Sequence, residues 1–181
     1  MDPEYITRFA AAFGTMLEGG TVVLSRDGRL TGELLRHAVL AGLIGTGCKV
    51  IDLGIASTPT CGVMVTALGA TGGLQLTASH NPIEWNALKC IGASGLFLEA
   101  SEGAAMRALV EQGIPYAKWD EIGAVTRDEE AAARHIDAVL AIPFVDVQKI
   151  RARRFKVALD CVRGAGATVM PALLERLGCD V

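Results

Sequence analysis

The chain has 181 residues and a mass of 19.0 kDa, with 51% hydrophobic and 20% charged residues and a mean hydropathy of +0.37, a balance that excludes intrinsic disorder and suffices for a buried core. Seventeen Lys and Arg against twenty Asp and Glu leave a formal charge of −3 and a pI near 5.6, which argues against nucleic acid as a partner and favours small-molecule work. The longest uncharged stretch, Leu53 to Ile83, is broken by Pro, Ser, His, Asn and repeated Gly, so no membrane partner is expected.

Val22-Val23-Leu24 predicts a first strand that ends in the turn cluster Ser25-Arg26-Asp27-Gly28. A helix follows from near Thr31, with Leu34, Leu35, Ala38, Ala41 and Ile44 at helical spacing and Gly45-Thr46-Gly47 as its stop. Val50 to Leu53 is the next strand, which completes a βαβ unit. Thr58 is placed as an N-cap with Pro59 at the first helical position, and that helix runs to Gly69 before a third strand, Leu74 to Thr77. Leu88 to Ile91 and Leu96 to Leu98 flank Gly92-Ala93-Ser94-Gly95 as a hairpin, which makes the sheet mixed. Helices are expected over Ser101 to Gln112 and Glu129 to Leu140.

Pro143 and the basic run Lys149, Arg151, Arg153, Arg154 mark a linker between Ile142 and Arg154, read as a solvated helix. A fresh strand then spans Phe155 to Asp160, a glycine loop follows at Gly164 and Gly166, and a helix runs to Leu177. Gly178-Cys179-Asp180-Val181 repeats the pattern of Gly47-Cys48-Lys49-Val50, which opens a strand after a helix. The expected fold is α/β: a three-layer α/β/α domain over residues 1–145 with a mixed, mostly parallel sheet, a linker at 146–154, and the first βα unit of a second, similar domain at 155–181. A strand without partners cannot bury its faces, so the sequence reads as the N-terminal part of a longer protein.

The five cysteines, Cys48, Cys61, Cys90, Cys161 and Cys179, are odd in number and widely spaced, with no CxxC pair. They read as reduced thiols of a cytoplasmic protein, and Met1-Asp2-Pro3-Glu4 carries no secretory signal. His37 and His135 lack partners at metal-ligand spacing and read as structural or exposed. Gly164-Ala165-Gly166 fails the dinucleotide fingerprint because Val169 stands where its third glycine belongs. Asp27 with Arg26 and Arg29 reads as an ion pair that fixes a loop.

The richest chemistry lies in Thr77-Ala78-Ser79-His80-Asn81-Pro82, just after a buried strand, where open α/β sheets collect ligands. Asn81-Pro82 forces a change of direction that turns Ser79 outward as a nucleophile. A hydrolase is disfavoured: adjacent strand residues point to opposite faces, so His80 is poorly placed to serve Ser79 as a base, and no GxSxG elbow is present. Ser94 reads as a turn residue.

TASHNP followed by Asn86 and Lys89 resembles the phosphoserine signature of the α-D-phosphohexomutases. The loop Ser25 to Thr31 and the stretch Ala158 to Gly166 resemble, respectively, that family's early Arg-Asp-x-Arg loop and the opening strand of its second domain. The resemblance implies that a phosphorylated Ser79 donates its phosphoryl group to a hexose or hexosamine phosphate, and that the bisphosphate turns round and returns the other one. His80 would contact substrate or phosphate, Lys89 would move a proton at the sugar hydroxyl, and Asn81 and Asn86 would shape the site. Phosphoserine carries about −1.5 to −2 charges, so Mg2+ is the implied cofactor, held here through the phosphoryl oxygen on Ser79. The remaining domains of the parent chain would be partners and would supply the aspartate ligands, so these residues alone would not turn over. Two features depart from the family: Met1 to Tyr5 lacks its Gly-Thr-Ser-Gly-Ile-Arg-Gly-like segment, and Ala87 replaces the usual Gly. The alternative is a non-catalytic scaffold that binds a phosphate or a partner chain.

Overall fold

The computed structural model describes residues 2–181. The first element is one that the strand-and-helix patterning above did not include. Asp2 accepts the Glu4 N–H at 2.9 Å, Pro3 follows it, and α1 runs over Pro3–Met16, as an Asp-Pro start favours. Ile6, Ala10 and Phe13, one helical face, are buried.

The chain continues through β1 (Thr21–Arg26), α2 (Gly32–Gly45), β2 (Lys49–Ile55), α3 (Thr58–Ala67), β3 (Gly72–Leu76), β4 (Leu88–Gly92) and α4 (Ala100–Gln112). After these come β5 (Val125–Arg127), α5 (Ala131–Leu140), α6 (Val147–Arg153), a 3-10 turn at Ala165–Thr168 and α7 (Met170–Arg176). The five strands lie in the order β4-β3-β1-β2-β5; β1 pairs in parallel with β2 and β3, β2 with β5, and β3 is antiparallel to β4. The fold is therefore α/β with a mixed, mostly parallel sheet.

Strand alternation assigns the two faces of the sheet. Val22, Leu24, Val50, Leu74 and Leu76 join Phe13 of α1 and Leu35, Val39 and Leu43 of α2 in one core. Val23, Leu53 and Ile91 join Cys61, Met64 and Val65 of α3 and Ala131 of α5 in the other. Covered on both sides, β1 and β3 read as near-continuous apolar runs.

Several details differ from the sequence reading. Ser57, not Thr58, caps α3, with its Oγ accepting the Thr60 N–H at 3.3 Å, so Pro59 sits one residue deeper. β5 has no counterpart in the sequence reading; its three exposed residues carry no buried pattern to detect. The second arm of the hairpin is reduced to one bridge, Ile91 with Phe97, around a turn in which Gly95 has φ +78°. A Cβ on Gly95 would stand 2.7 Å from the Gly62 carbonyl of α3, so this turn needs glycine for both conformation and space.

Phe155 to Asp160 forms no strand. Lys156 instead makes a single parallel bridge with Asp180, supported by Val157 N–H to Asp180 O at 2.8 Å and Asp180 N–H to Phe155 O at 2.9 Å. The two segments expected as strands are neighbours, but among the described residues no further strand lies beside them and the ladder does not propagate. The expected linker helix is α6, which buries no residue. Its Arg151 donates to the Arg176 carbonyl, and the Arg153 guanidinium lies 5.4 Å from the Phe155 ring centroid. Among the described residues, no helix is long and apolar enough to cross a membrane.

Candidate active site

Register places the candidate loop. Arg26 of β1 pairs with Leu76 of β3, so the loops that leave the two strands begin side by side, Asp27 against Thr77. The Asp27 N–H donates to Leu76 O at 2.9 Å, and the Thr77 hydroxyl donates to Asp27 Oδ2 at 2.7 Å. Beneath them, buried Ser25 donates to Gln75 Oε1, and Gln75 Nε2 donates to Ala56 O at 3.1 Å, which ties together the ends of β1, β3 and the segment after β2.

Ser79 is exposed and holds φ at +55°, a left-handed conformation uncommon for a residue with a Cβ. Its N–H donates to Thr77 Oγ1 at 3.0 Å and its carbonyl accepts from Arg29 Nη2 at 2.8 Å. Arg29 also donates to the carbonyls of Asn81, Pro82 and Trp85 at 3.0, 2.6 and 2.9 Å, and its Nε pairs with Asp27 Oδ2 at 2.9 Å. Of the loop-fixing ion pair expected of Asp27 with Arg26 and Arg29, the Arg29 half is present and fixes the serine loop as well as its own, whereas Arg26 pairs with Glu33 at 3.0 Å.

A cleft of about 730 Å³ opens beside this loop, and Ser79, Lys89, Thr77, Thr58, Glu99 and Arg107 are among its lining residues. Ser79 and Lys89, which the resemblance placed in one motif, share it because β4 folds back against β3 and pairs Lys89 with Gln75, two residues before Thr77. His80 is exposed beside Ser79, with Nδ1 3.4 Å from Ser79 Oγ, and does not line the cleft. The opposite-face argument against that pair fails because the left-handed turn at Ser79 breaks strand alternation. The separation is longer than a well-formed hydrogen bond, and among the described residues no carboxylate orients the ring.

Asn81 is exposed, and its Nδ2 donates to Ala78 O within the loop at 3.0 Å. Asn86 is buried, donates to Thr31 Oγ1 at 3.2 Å and accepts the Ala87 N–H at 2.9 Å; it faces another, larger cavity of about 800 Å³ between α1 and the loop before β4. That cavity is walled mainly by apolar side chains such as Tyr5, Phe9 and Trp85 and contains neither Ser79 nor Lys89. Sequence reasoning missed Thr58, Glu99 and Arg107, which come from the starts of α3 and α4 and from within α4 and carry no motif of their own.

Among the described residues, no three His, Cys, Asp or Glu side chains gather to hold a metal ion. Asp27, which holds the serine loop through Thr77 and Arg29, has its carboxylate engaged by those two side chains. These residues do not form a magnesium cage. His135 is also structural: its Nδ1 lies 2.9 Å from Thr60 Oγ1, and burial pushes its pKa down.

Cys90 also lines the cleft, but burial pushes its thiol up to about 11, and that of Cys61 likewise. Relative to the ordinary value of 9.0, that leaves about a hundredfold less thiolate near neutral pH. Iodoacetamide at pH 7.5, read by peptide mass mapping, is expected to spare both until the protein is unfolded. Rapid labelling of Cys90 in the native state would contradict that burial.

Comparison with known proteins fits the geometry. Residues 1–116 match the phosphoglucomutase/phosphomannomutase α/β/α domain I. The chain is 36% identical over 181 residues to a "Probable phosphoglucosamine mutase" of Methanopyrus kandleri, covering 100% of this chain and 39% of that one. It is 40% identical over 185 residues to a "Phosphoglucomutase/phosphomannomutase" of Thermococcus kodakarensis, covering 99% and 40%. A solved structure from Thermus thermophilus, named for phosphomannomutase, superposes with a TM-score of 0.85 at 29% identity and covers 100% of this chain and 41% of that one. The chain thus spans about two fifths of the length of these relatives. With its first 116 residues matching domain I and its α/β fold shared with these structures, the chain belongs to the phosphoglucomutase/phosphomannomutase family.

Proposed function

We propose that this chain carries the phosphoryl-bearing serine of a phosphohexomutase acting on a hexose or hexosamine phosphate. The observation that carries this reading is Ser79 itself: backbone pinned at both its N–H and its carbonyl, side chain exposed, and Lys89 lining the same cleft. In the forward step a sugar hydroxyl oxygen attacks the phosphorus on Ser79. The new O–P bond forms as the Oγ–P bond breaks, the hydroxyl proton leaves to a base, and Ser79 Oγ takes up a proton. Lys89, at the cleft wall, is assigned the proton at the sugar oxygen. The bisphosphate then presents its other phosphate to Ser79 and the same exchange runs in reverse. His80, exposed next to Ser79, is assigned to contact the incoming phosphate. Asn81 and Asn86 shape the loop through the hydrogen bonds described above. When bound, Mg2+ would supply charge neutralisation at the phosphoryl oxygens.

The full-length protein, incubated with a hexose 1,6-bisphosphate, is expected to gain one phosphoryl group by intact mass, placed on Ser79 by peptide fragmentation. Lys89→Ala is expected to retain that phosphoserine while slowing turnover by about 10²–10⁴-fold, the usual contribution of a positioned acid or base. A phosphoryl group on another residue, or none, would overturn the assignment. Comparing turnover of glucosamine, mannose and glucose phosphates then selects the sugar.

A further inference from the structure

The geometry points to Arg29 as the positioning residue of the phosphotransfer site, a guanidinium that holds Ser79 in its left-handed conformation without itself binding phosphate. This rests on the reading of Ser79 as the phosphoryl carrier. A guanidinium has five N–H donors and no acceptor. In Arg29 all five have partners: Nε on Asp27 Oδ2, the two Nη1 hydrogens on Pro82 and Trp85 carbonyls, and the two Nη2 hydrogens on Ser79 and Asn81 carbonyls. The side chain is only 9% exposed. It has no donor left for a substrate, in contrast to Lys89 and Arg107, which line the cleft.

The four carbonyls span residues 79 to 85, so one planar group closes the whole turn between β3 and β4. Asp27 orients that plane from behind, accepting both the Arg29 N–H at 3.0 Å and Nε at 2.9 Å. The same carboxylate accepts the Thr77 hydroxyl, whose oxygen in turn accepts the Ser79 N–H. Asp27 therefore grips Ser79 by two routes, through Thr77 at its N–H and through Arg29 at its carbonyl. Both routes end on the backbone, which leaves Oγ free to carry a phosphoryl group. A left-handed conformation at a residue with a Cβ persists only where its surroundings over-determine it, and these two routes supply that constraint.

The test compares Arg29→Lys, Thr77→Val and Ser79→Ala in the full-length protein, by steady-state kinetics and by the rate at which a hexose 1,6-bisphosphate phosphorylates the protein. Arg29→Lys keeps the charge but replaces a five-donor plane by a compact three-donor ammonium. The expected result is a fall in kcat of about 10–100-fold with KM within about twofold and a matching fall in the phosphorylation rate. Thr77→Val, which cuts the other route, is expected to lower kcat in the same sense. Arg29→Lys with the parent's kcat would overturn the proposal, as would a rise in KM at unchanged kcat, the signature of a phosphate ligand. Ser79→Ala separates the two readings. If it still turns over, the phosphoserine assignment has failed; if it is inactive while Arg29→Lys and Thr77→Val behave as the parent, only the clamp has failed.

Discussion

Ser79→Ala in the full-length protein is expected to lower phosphotransfer by about four orders of magnitude or more, because the group that accepts and returns the phosphoryl is removed outright. The fold should survive, since the Oγ makes only one long contact, 3.4 Å to His80, while the loop is held by backbone atoms and Arg29. Ser79→Gly is the sharper control. It removes the same oxygen and relieves the left-handed φ of +55°, so it should be equally inactive and unfold within about 1 kcal/mol of the parent. Coupled assay and thermal unfolding on the two variants check both halves. Residual turnover near the parent's in either variant would remove Ser79 from the mechanism.

Phe13→Ala is expected to be the costliest of the simple core truncations. Phe13 is fully buried and packs in the core that joins α1 and α2 to the sheet, close enough to β3 that a Cβ on Gly72 would stand 3.0 Å from its ring. Emptying that volume costs about 3–5 kcal/mol, which for a domain of this size lowers Tm by roughly 6–20 °C. The surrounding packing cannot close over the gap. α1 crosses α2 at Gly42, where even a Cβ would lie 2.5 Å from the Thr7 carbonyl, so the helices are already at contact. Phe144→Ala, at a phenylalanine that is 87% exposed, is the matched control and should change stability by no more than about 0.5 kcal/mol. Equal Tm values for the two would show that α1 is not part of the core.

The elements with a clear apolar period are legible in the sequence alone. β1, α2, β2, α3, β3, β4, α4 and α5 fall where runs, caps and glycine stops place them, within a residue or two at their ends. What escaped has physical reasons. β5 is three exposed residues whose only strand character is pairing with β2, and pairing leaves no mark in composition. α1 carries an Asp-Pro start and a periodic face in Ile6, Ala10 and Phe13, local signals sufficient to mark the helix in the sequence. Phe155 to Asp160 has a strand's composition without a strand's neighbours.

The division is sharpest at the candidate site. Ser79 as an outward nucleophile, the turn enforced by Asn81-Pro82 and the loop-fixing role of Asp27 and Arg29 follow from residue types and short-range spacing, because a strand end, a proline and a local ion pair act over a few residues; Lys89 stood out only through the family resemblance. That Arg29 reaches fifty residues along the chain to hold Ser79 was decided by the parallel register of β1 with β3. That Lys89 shares a cleft with Ser79, while Asn86 turns to Thr31 and another cavity, was decided by the antiparallel return of β4. Sequence patterning specifies which residues are able to do chemistry, since that depends on their own functional groups and immediate backbone. Which of them meet depends on strand order and register, which arise only when the whole sheet is assembled and both of its faces are buried.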